Sequence, residues 1–132
     1  MDALARAAFA TMAHLSRIGA ENDLSLTQLR VFGILRDRRL RMTELADYLG
    51  LEKSTLSGLI DRAEKRGLVR RAQNGTDRRG FDVFLSPEGL AAAQLIRGRV
   101  ADSLAPMTSR LGPAEQHRLQ VLLERMLDEP GG

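Results

Sequence analysis

Apolar residues recur every three or four positions through most of this chain, and glycines and prolines interrupt the pattern at a few defined places. From residue 2 to 20, Leu4, Ala8, Met12, Leu15 and Ile18 fall on one side of a helix. A second helix carries Leu29, Phe32 and Leu35, with Val31 and Ile34 widening its apolar side, and Thr27 is the expected cap. After the polar exit Arg36-Asp37-Arg38-Arg39, a short helix is expected from an N-cap at Thr43 to Gly50. A longer helix follows from about Lys53 to Arg66, stopped by Gly67. Leu68–Arg71 and Phe81–Leu85 read as two short strands around a nine-residue loop, with Asn74-Gly75 as its turn signal. Ser86-Pro87-Glu88 then opens a helix, with a hydroxyl to cap it, a proline where the missing N–H costs nothing, and an acid in the first turn. Its apolar stripe runs Leu90, Ala93, Ile96, Val100, Leu104, Met107, Leu111 up to the break at Gly112-Pro113. A last helix bears Leu119, Leu122, Leu123, Met126 and Leu127.

The pair of helices flanking Gly50 has a specific internal spacing. Leu45 and Leu49 on the first and Leu56, Leu59 and Ile60 on the second point inward, and Ala46 is small where the helices cross. Leu51 is expected to fill the corner after the Gly50 turn. This is the array of a helix-turn-helix of the type that reads DNA. With those residues inward, Lys53, Ser54, Thr55, Ser57, Gly58, Asp61, Arg62 and Lys65 face outward. A major groove roughly 12 Å wide admits a helix whose leading side chains are short. Ser54, Thr55 and Ser57 suit hydrogen bonds to base edges or phosphates, Gly58 permits close approach, and Lys53, Arg62 and Lys65 suit phosphates or, for Arg62, a guanine edge. An ordinary solvated helix face is the bland alternative. The basic hairpin that follows argues against it.

Charge sharpens this picture. The chain of 132 residues carries a formal charge of +3, too small by itself to imply a polyanion partner. Yet Lys53 to Arg79 holds eight Lys or Arg against three acids, a local excess of +5, whereas Pro113 to Glu129 has an excess of −2. Such a concentrated footprint marks a polyanion-binding segment. At the hairpin tip, Arg78 and Arg79 are candidates for a narrow minor groove, with Asp77 bracing one guanidinium.

Other chemistries lack their residues. There is no cysteine, which removes disulfides, thiolate metal sites and thiol nucleophiles together. His14 and His117 lie more than 100 positions apart, so no metal and no cofactor are expected, and His14 reads as a packed or interfacial residue. No paired carboxylates, Ser-His-Asp arrangement or glycine-rich phosphate loop appears, and an enzyme is not expected. The N-terminal stretch lacks the basic leader and clean apolar run of a signal peptide, and no apolar run approaches a membrane span, so no membrane association is expected.

The segments LTQLRVFGIL, MTELADYLGLEKSTLSGLIDRAEKRGLVRR and GTDRRGFDVFLSPEG resemble the multiple antibiotic resistance regulator (MarR) family of bacterial transcription factors, over about residues 24 to 111. The resemblance implies a mainly α (α+β) winged helix-turn-helix, a single domain over residues 1–132. Residues 24–88 would form the winged lobe, and helices within 2–20 and 89–128 the dimerisation base. It implies a cytoplasmic, nucleoid-associated regulator, usually a repressor, that binds a pseudo-palindromic operator on double-stranded DNA as a homodimer. Release by a small, frequently aromatic ligand is part of the same expectation. Carried over by motif, Ser54, Thr55, Ser57 and Arg62 lie on the recognition helix, Arg78 and Arg79 on the wing braced by Asp77, and Thr43 starts the helix that crosses the DNA backbone. Many members carry a larger polar residue where this chain has Gly58.

The residues give their own reason to expect a homodimer. The apolar stripes of the first, fifth and last helices exceed what one small winged-helix domain can bury. Two-fold symmetry would set two recognition helices about 34–36 Å apart, one turn of DNA. An effector-independent regulator and a winged helix used as a protein-interaction module are the remaining readings.

Overall fold

The computed structural model describes residues 1–76 and 79–127. In chain order the elements are α1 (Asp2–Glu21), α2 (Leu26–Leu35), β1 (Leu40–Arg41), α3 (Met42–Leu49), α4 (Lys53–Lys65), β2 (Val69–Gln73), β3 (Phe81–Leu85), α5 (Pro87–Thr108) and α6 (Pro113–Leu127). The chain divides into two compact units, Met1–Val100 and Ala101–Gly132. The first is a winged helix: three helices packed on a small antiparallel sheet of strand order β1-β3-β2.

The core of this unit is aliphatic. Leu35 of α2, Leu45 of α3, Leu56 and Ile60 of α4, and Val69 and Val83 of the sheet are fully buried, joined by Ala93 and Ile96 of α5. Fully burying each such side chain contributes about 1.5–3 kcal/mol. Ala46 is buried at the α3–α4 crossing, where a larger side chain would hold the helices apart. Gly50 caps α3 in the left-handed conformation, with φ +67°. Leu51 N donates back to Ala46 O at 3.0 Å, satisfying a carbonyl that the helix end leaves open. Leu51 itself is half-buried.

Two helix starts differ from the sequence expectation. α2 begins at Leu26, capped by Ser25: its hydroxyl accepts from Gln28 N at 3.1 Å while Gln28 Oε1 accepts from Ser25 N at 2.9 Å. This reciprocal pair satisfies two amides at once, which Thr27, already inside the helix, cannot do. α3 begins at Met42, so Thr43 is its second residue and not its cap. Glu44 Oε1 accepts from Arg41 N at 3.3 Å instead. Residues 40–41, between the polar exit ending at Arg39 and the expected cap at Thr43, form β1 and pair with β3, Leu40 opposite Val83 and Arg41 opposite Asp82.

The hairpin is tighter than nine residues. The β2–β3 ladder extends to Gln73 opposite Phe81, and Asn74 N donates to Gly80 O at 2.9 Å. Gly75 does not take a left-handed φ. The turn is held by the Asn74 side chain, whose Oδ1 accepts from Thr76 N (2.9 Å) and Thr76 Oγ1 (2.8 Å). Asp77 and Arg78 lie outside the described residues.

Where β3 passes into α5, Ser86 is buried and bonded through both its amide and its hydroxyl. Its N donates to Leu68 O (3.0 Å), its Oγ donates to Gly67 O (2.6 Å), and Oγ accepts from Gly89 N (3.0 Å). The cap inferred for Ser86 is therefore present, and it also ties the end of α4 to the start of α5. Gly89 is required here, because a Cβ would overlap the Leu68 carbonyl oxygen and stand 2.9 Å from its carbon. Glu88 in the same turn has its carboxyl held below the ordinary range by a backbone amide and then by Ser86, against desolvation, with the charge of Arg70 adding the least.

In the second unit, α5 ends at Thr108, short of Leu111. Gln116 Nε2 then donates to Thr108 O (2.9 Å) and Leu111 O (3.1 Å) across the turn into α6. α6 buries none of its residues. Among the described residues no helix is long and apolar enough to cross a membrane.

Candidate nucleic-acid interface

α4 turns two unlike faces to its surroundings. Leu56, Leu59, Ile60 and Ala63 are buried; Ser54, Gly58, Asp61 and Lys65, spaced by three and four, form the ridge opposite them. Lys53, Ser54, Thr55, Arg62 and Lys65 are exposed, and Ser57 and Gly58 half-exposed. All seven α4 residues singled out from the sequence thus avoid the core. After Lys53, small hydroxyls occupy the first turn and the start of the second, and Arg62 and Lys65 lie toward the far end. The Arg62 guanidinium lies back along the helix over Gly58, where a Cβ would meet its Nη1 in ordinary contact at 3.7 Å. Thr43 is exposed on the first turn of α3, and Arg79 is exposed on the returning arm of the hairpin.

The +5 segment is not all available to a polyanion. Arg71 bridges Asp61 and Glu64 of α4 from the neighbouring strand. Asp61, a carboxylate on the outward ridge, thereby has its charge offset by a strand arginine. Arg66 closes over the turn between α1 and α2, its Nη1 donating to Asp23 O (2.8 Å) and its Nη2 to Asn22 O (3.1 Å). Neither role was legible in the sequence, since the Arg66 partners stand 43 and 44 positions away. Lys53, Arg62, Lys65, Arg70 and Arg79 are exposed, Arg70 with its charge acting on Glu88.

A family model described as MarR family matches residues 22–80. The transcriptional regulator HosA of Escherichia coli is 32% identical over 110 residues, 80% of this chain and 79% of HosA. The chain belongs to the MarR family of transcriptional regulators. Another relative, the Bacillus subtilis regulator YfiV, is 34% identical over 77 residues, which span only 46% of its length. Two solved structures of similar proteins share the fold at 26% identity. One is CouR, a repressor bound to a 23-mer DNA duplex (TM-score 0.77, 96% of this chain and 90% of that one). The other is NadR in complex with 4-hydroxyphenylacetate (TM-score 0.80, 94% and 89%).

Within the first unit, this MarR-family chain also contains a cavity of about 540 Å³ behind the helix-turn-helix. Met12 and Leu15 of α1, Leu29 and Phe32 of α2, and Ala93, Ile96 and Val100 of α5 form its walls. Leu49 and Leu51 bring the two sides of the Gly50 turn to it, and Arg30, Arg36 and Arg97 are its cations, with no acid in the lining among the described residues. The Arg30 guanidinium also lies over the Tyr48 ring of α3, 5.7 Å from its centroid. His14, on the fourth turn of α1, is half-buried and lies 3.2 Å from Arg17 Nη2 through Nδ1.

Proposed function

We propose that this chain is a sequence-specific repressor that binds a two-fold operator as a homodimer and is released by a small organic ligand. The carrying observation is the α4 face: short hydroxyls at its start, Arg62 and Lys65 beyond, and a core-packed underside that fixes which way they point. Ser54, Thr55 and Ser57 read base edges or position the helix against phosphates, with Lys53, Arg62 and Lys65 adding charge. Thr43 meets the backbone at the start of α3. The wing supplies Arg78 and Arg79 to the minor groove, with Asp77 bracing them.

Dimerisation is supported by apolar surface on helices outside the winged lobe. Phe9 on α1 is 69% exposed, and Met126 and Leu127 on α6 are 59% and 76% exposed. With Leu95 of α5 also exposed, surface of this kind on three helices is costly for a lone subunit. The 540 Å³ cavity is the right size for a small molecule, and its arginines suit an acid with an apolar body. NadR's 4-hydroxyphenylacetate has that chemistry. An occupant would touch Leu49 and Leu51, and so the turn that sets the approach of α4. A protein-interaction module is disfavoured because the outward face of α4 is polar and basic.

Selection of bound duplexes from a random pool tests the reading. A two-fold motif should emerge, and its affinity should fall steeply with salt, by about 0.9 in log K per log salt for each phosphate contacted. Recovery of no motif, or a flat salt titration, would remove it. Small aromatic acids are then screened for release of the selected duplex.

A further inference from the structure

The connection between α2 and β1 makes contacts on which the α4 face does not depend. Asp82 and Phe84 of β3 stand two residues apart and share one face of the sheet. The Arg39 guanidinium covers both: it lies 4.4 Å from the Phe84 ring centroid, and its Nε is 3.5 Å from Asp82 Oδ2. The other oxygen of that carboxylate, Oδ1, accepts from Asn74 Nδ2 at 2.8 Å. Asn74 in turn holds Thr76 through its side chain and Gly80 through its backbone N–H. A line of polar contacts therefore runs from Arg39 through Asp82 and Asn74 to both arms of the hairpin. Arg41, opposite Asp82 in the ladder, packs beneath the same place, since a Cβ at Gly80 would stand 3.0 Å from its Nη2.

We propose that Arg39 is a positioning residue for the wing: it fixes the base of the hairpin, and so the direction of Arg79, without itself touching the duplex. The proposal rests on the DNA-binding reading above. Its physical basis is preorganisation, because a hairpin already held in its bound pose spends less conformational freedom on binding. A half-exposed ion pair would do little alone. A planar guanidinium that stacks on a ring while pairing with a carboxylate has one orientation, which an ammonium cannot reproduce.

The sign of one substitution separates positioning from simple charge. Asp82 is a carboxylate at the base of a hairpin directed at a polyanion. If charge alone mattered, Asp82→Ala would tighten binding; if Asp82 links Arg39 to the turn, it weakens binding. The test uses the full chain and the duplex selected by the wild-type protein, read by fluorescence anisotropy and hydroxyl-radical footprinting. Asp82→Ala and Arg39→Met, which keeps an apolar stem over Phe84, should each weaken binding about tenfold. Both should lose minor-groove protection at the flanks while keeping the central major-groove contacts. Arg39→Lys should recover little of the loss, and the salt slope of Arg39→Met should match wild type. Melting followed by circular dichroism establishes that each variant is folded. Wild-type or tighter binding by Asp82→Ala overturns the proposal, as does full rescue by Arg39→Lys with a reduced salt slope for Arg39→Met, which would make Arg39 a phosphate contact. If wild-type protein selects no duplex, the DNA-binding reading itself fails, and that is seen before any variant is made.

Discussion

Replacing Gly89 by alanine tests whether the junction of α4, β2 and α5 is as tightly fitted as its geometry requires. The added methyl would overlap the Leu68 carbonyl oxygen, which is backbone and cannot rotate away. The first turn of α5 must retreat by about 1 Å, an overpacking cost of about 1–3 kcal/mol. That retreat stretches Ser86 Oγ to Gly67 O from 2.6 Å and Ser86 N to Leu68 O from 3.0 Å, toward or past hydrogen-bonding range. Each bond lost costs about 0.5–1.5 kcal/mol. The sum is about 4 kcal/mol, against a total stability of about 5–15 kcal/mol for an ordinary domain. At fixed protein concentration, the melting temperature read by circular dichroism should drop by roughly 10–20 °C. Gly98→Ala on the same helix is the control: nothing lies within 4 Å of its Cβ, and removing chain freedom there should stabilise by about 0.5–1 kcal/mol. If Gly89→Ala melts within about 3 °C of wild type, on the scale expected for a surface change, the close approach is not real and the reasoning fails.

Four further outcomes are expected. Gly50→Ala, which forces a Cβ into a φ of +67°, should cost about 1–2 kcal/mol by urea titration, while Gly50→Asn should cost less. Arg66→Met removes the donors to Asn22 and Asp23 and should cost about 1–3 kcal/mol, seen as a lower urea midpoint. Arg79→Ala should weaken duplex binding severely with helicity and oligomeric state unchanged; wild-type affinity would take the wing out of the mechanism. The depressed folded-state pKa of Glu88 means that its contribution to stability is present above the ordinary carboxylate range and is lost as pH falls through the folded value. Glu88→Gln should therefore lower stability in the neutral region and flatten the acid limb of a stability-versus-pH curve, while leaving stability below the folded value nearly unchanged.

Much of the winged helix was legible because local chemistry and global packing agree there. Ala46, Gly50, Leu56 and Leu59 state the α3–α4 crossing by spacing alone, and Gly67 and Ser86 mark helix boundaries through conformations and bonds made within a few residues. The misreadings share a cause. Thr27 and Thr43 are good caps in isolation, but Ser25 with Gln28 satisfies two donors at once, and Glu44 accepts from the Arg41 amide one residue before α3 begins. β1 has only two residues and exists because β3 offers a free edge, a fact that no window around Leu40 contains. The candidate site divides the same way. Outward residues of α4 follow from periodicity, whereas Arg66 and Arg71 spend their charge on partners set by tertiary structure. The contacts of Asn74 and Asp82 join the two arms of a hairpin whose turn was read from Asn74-Gly75 instead.

With no tryptophan and a single tyrosine in the sequence, intrinsic ultraviolet emission above the weak phenylalanine background comes from Tyr48 alone. That phenol is largely exposed on α3, and the guanidinium above it belongs to Arg30, which also lines the cavity. The molecule thus has a native optical reporter beside the turn between its two central helices. Anything that displaces Arg30 from inside, or covers α3 from outside, changes the surroundings of one chromophore, and both events can be followed without attaching a dye.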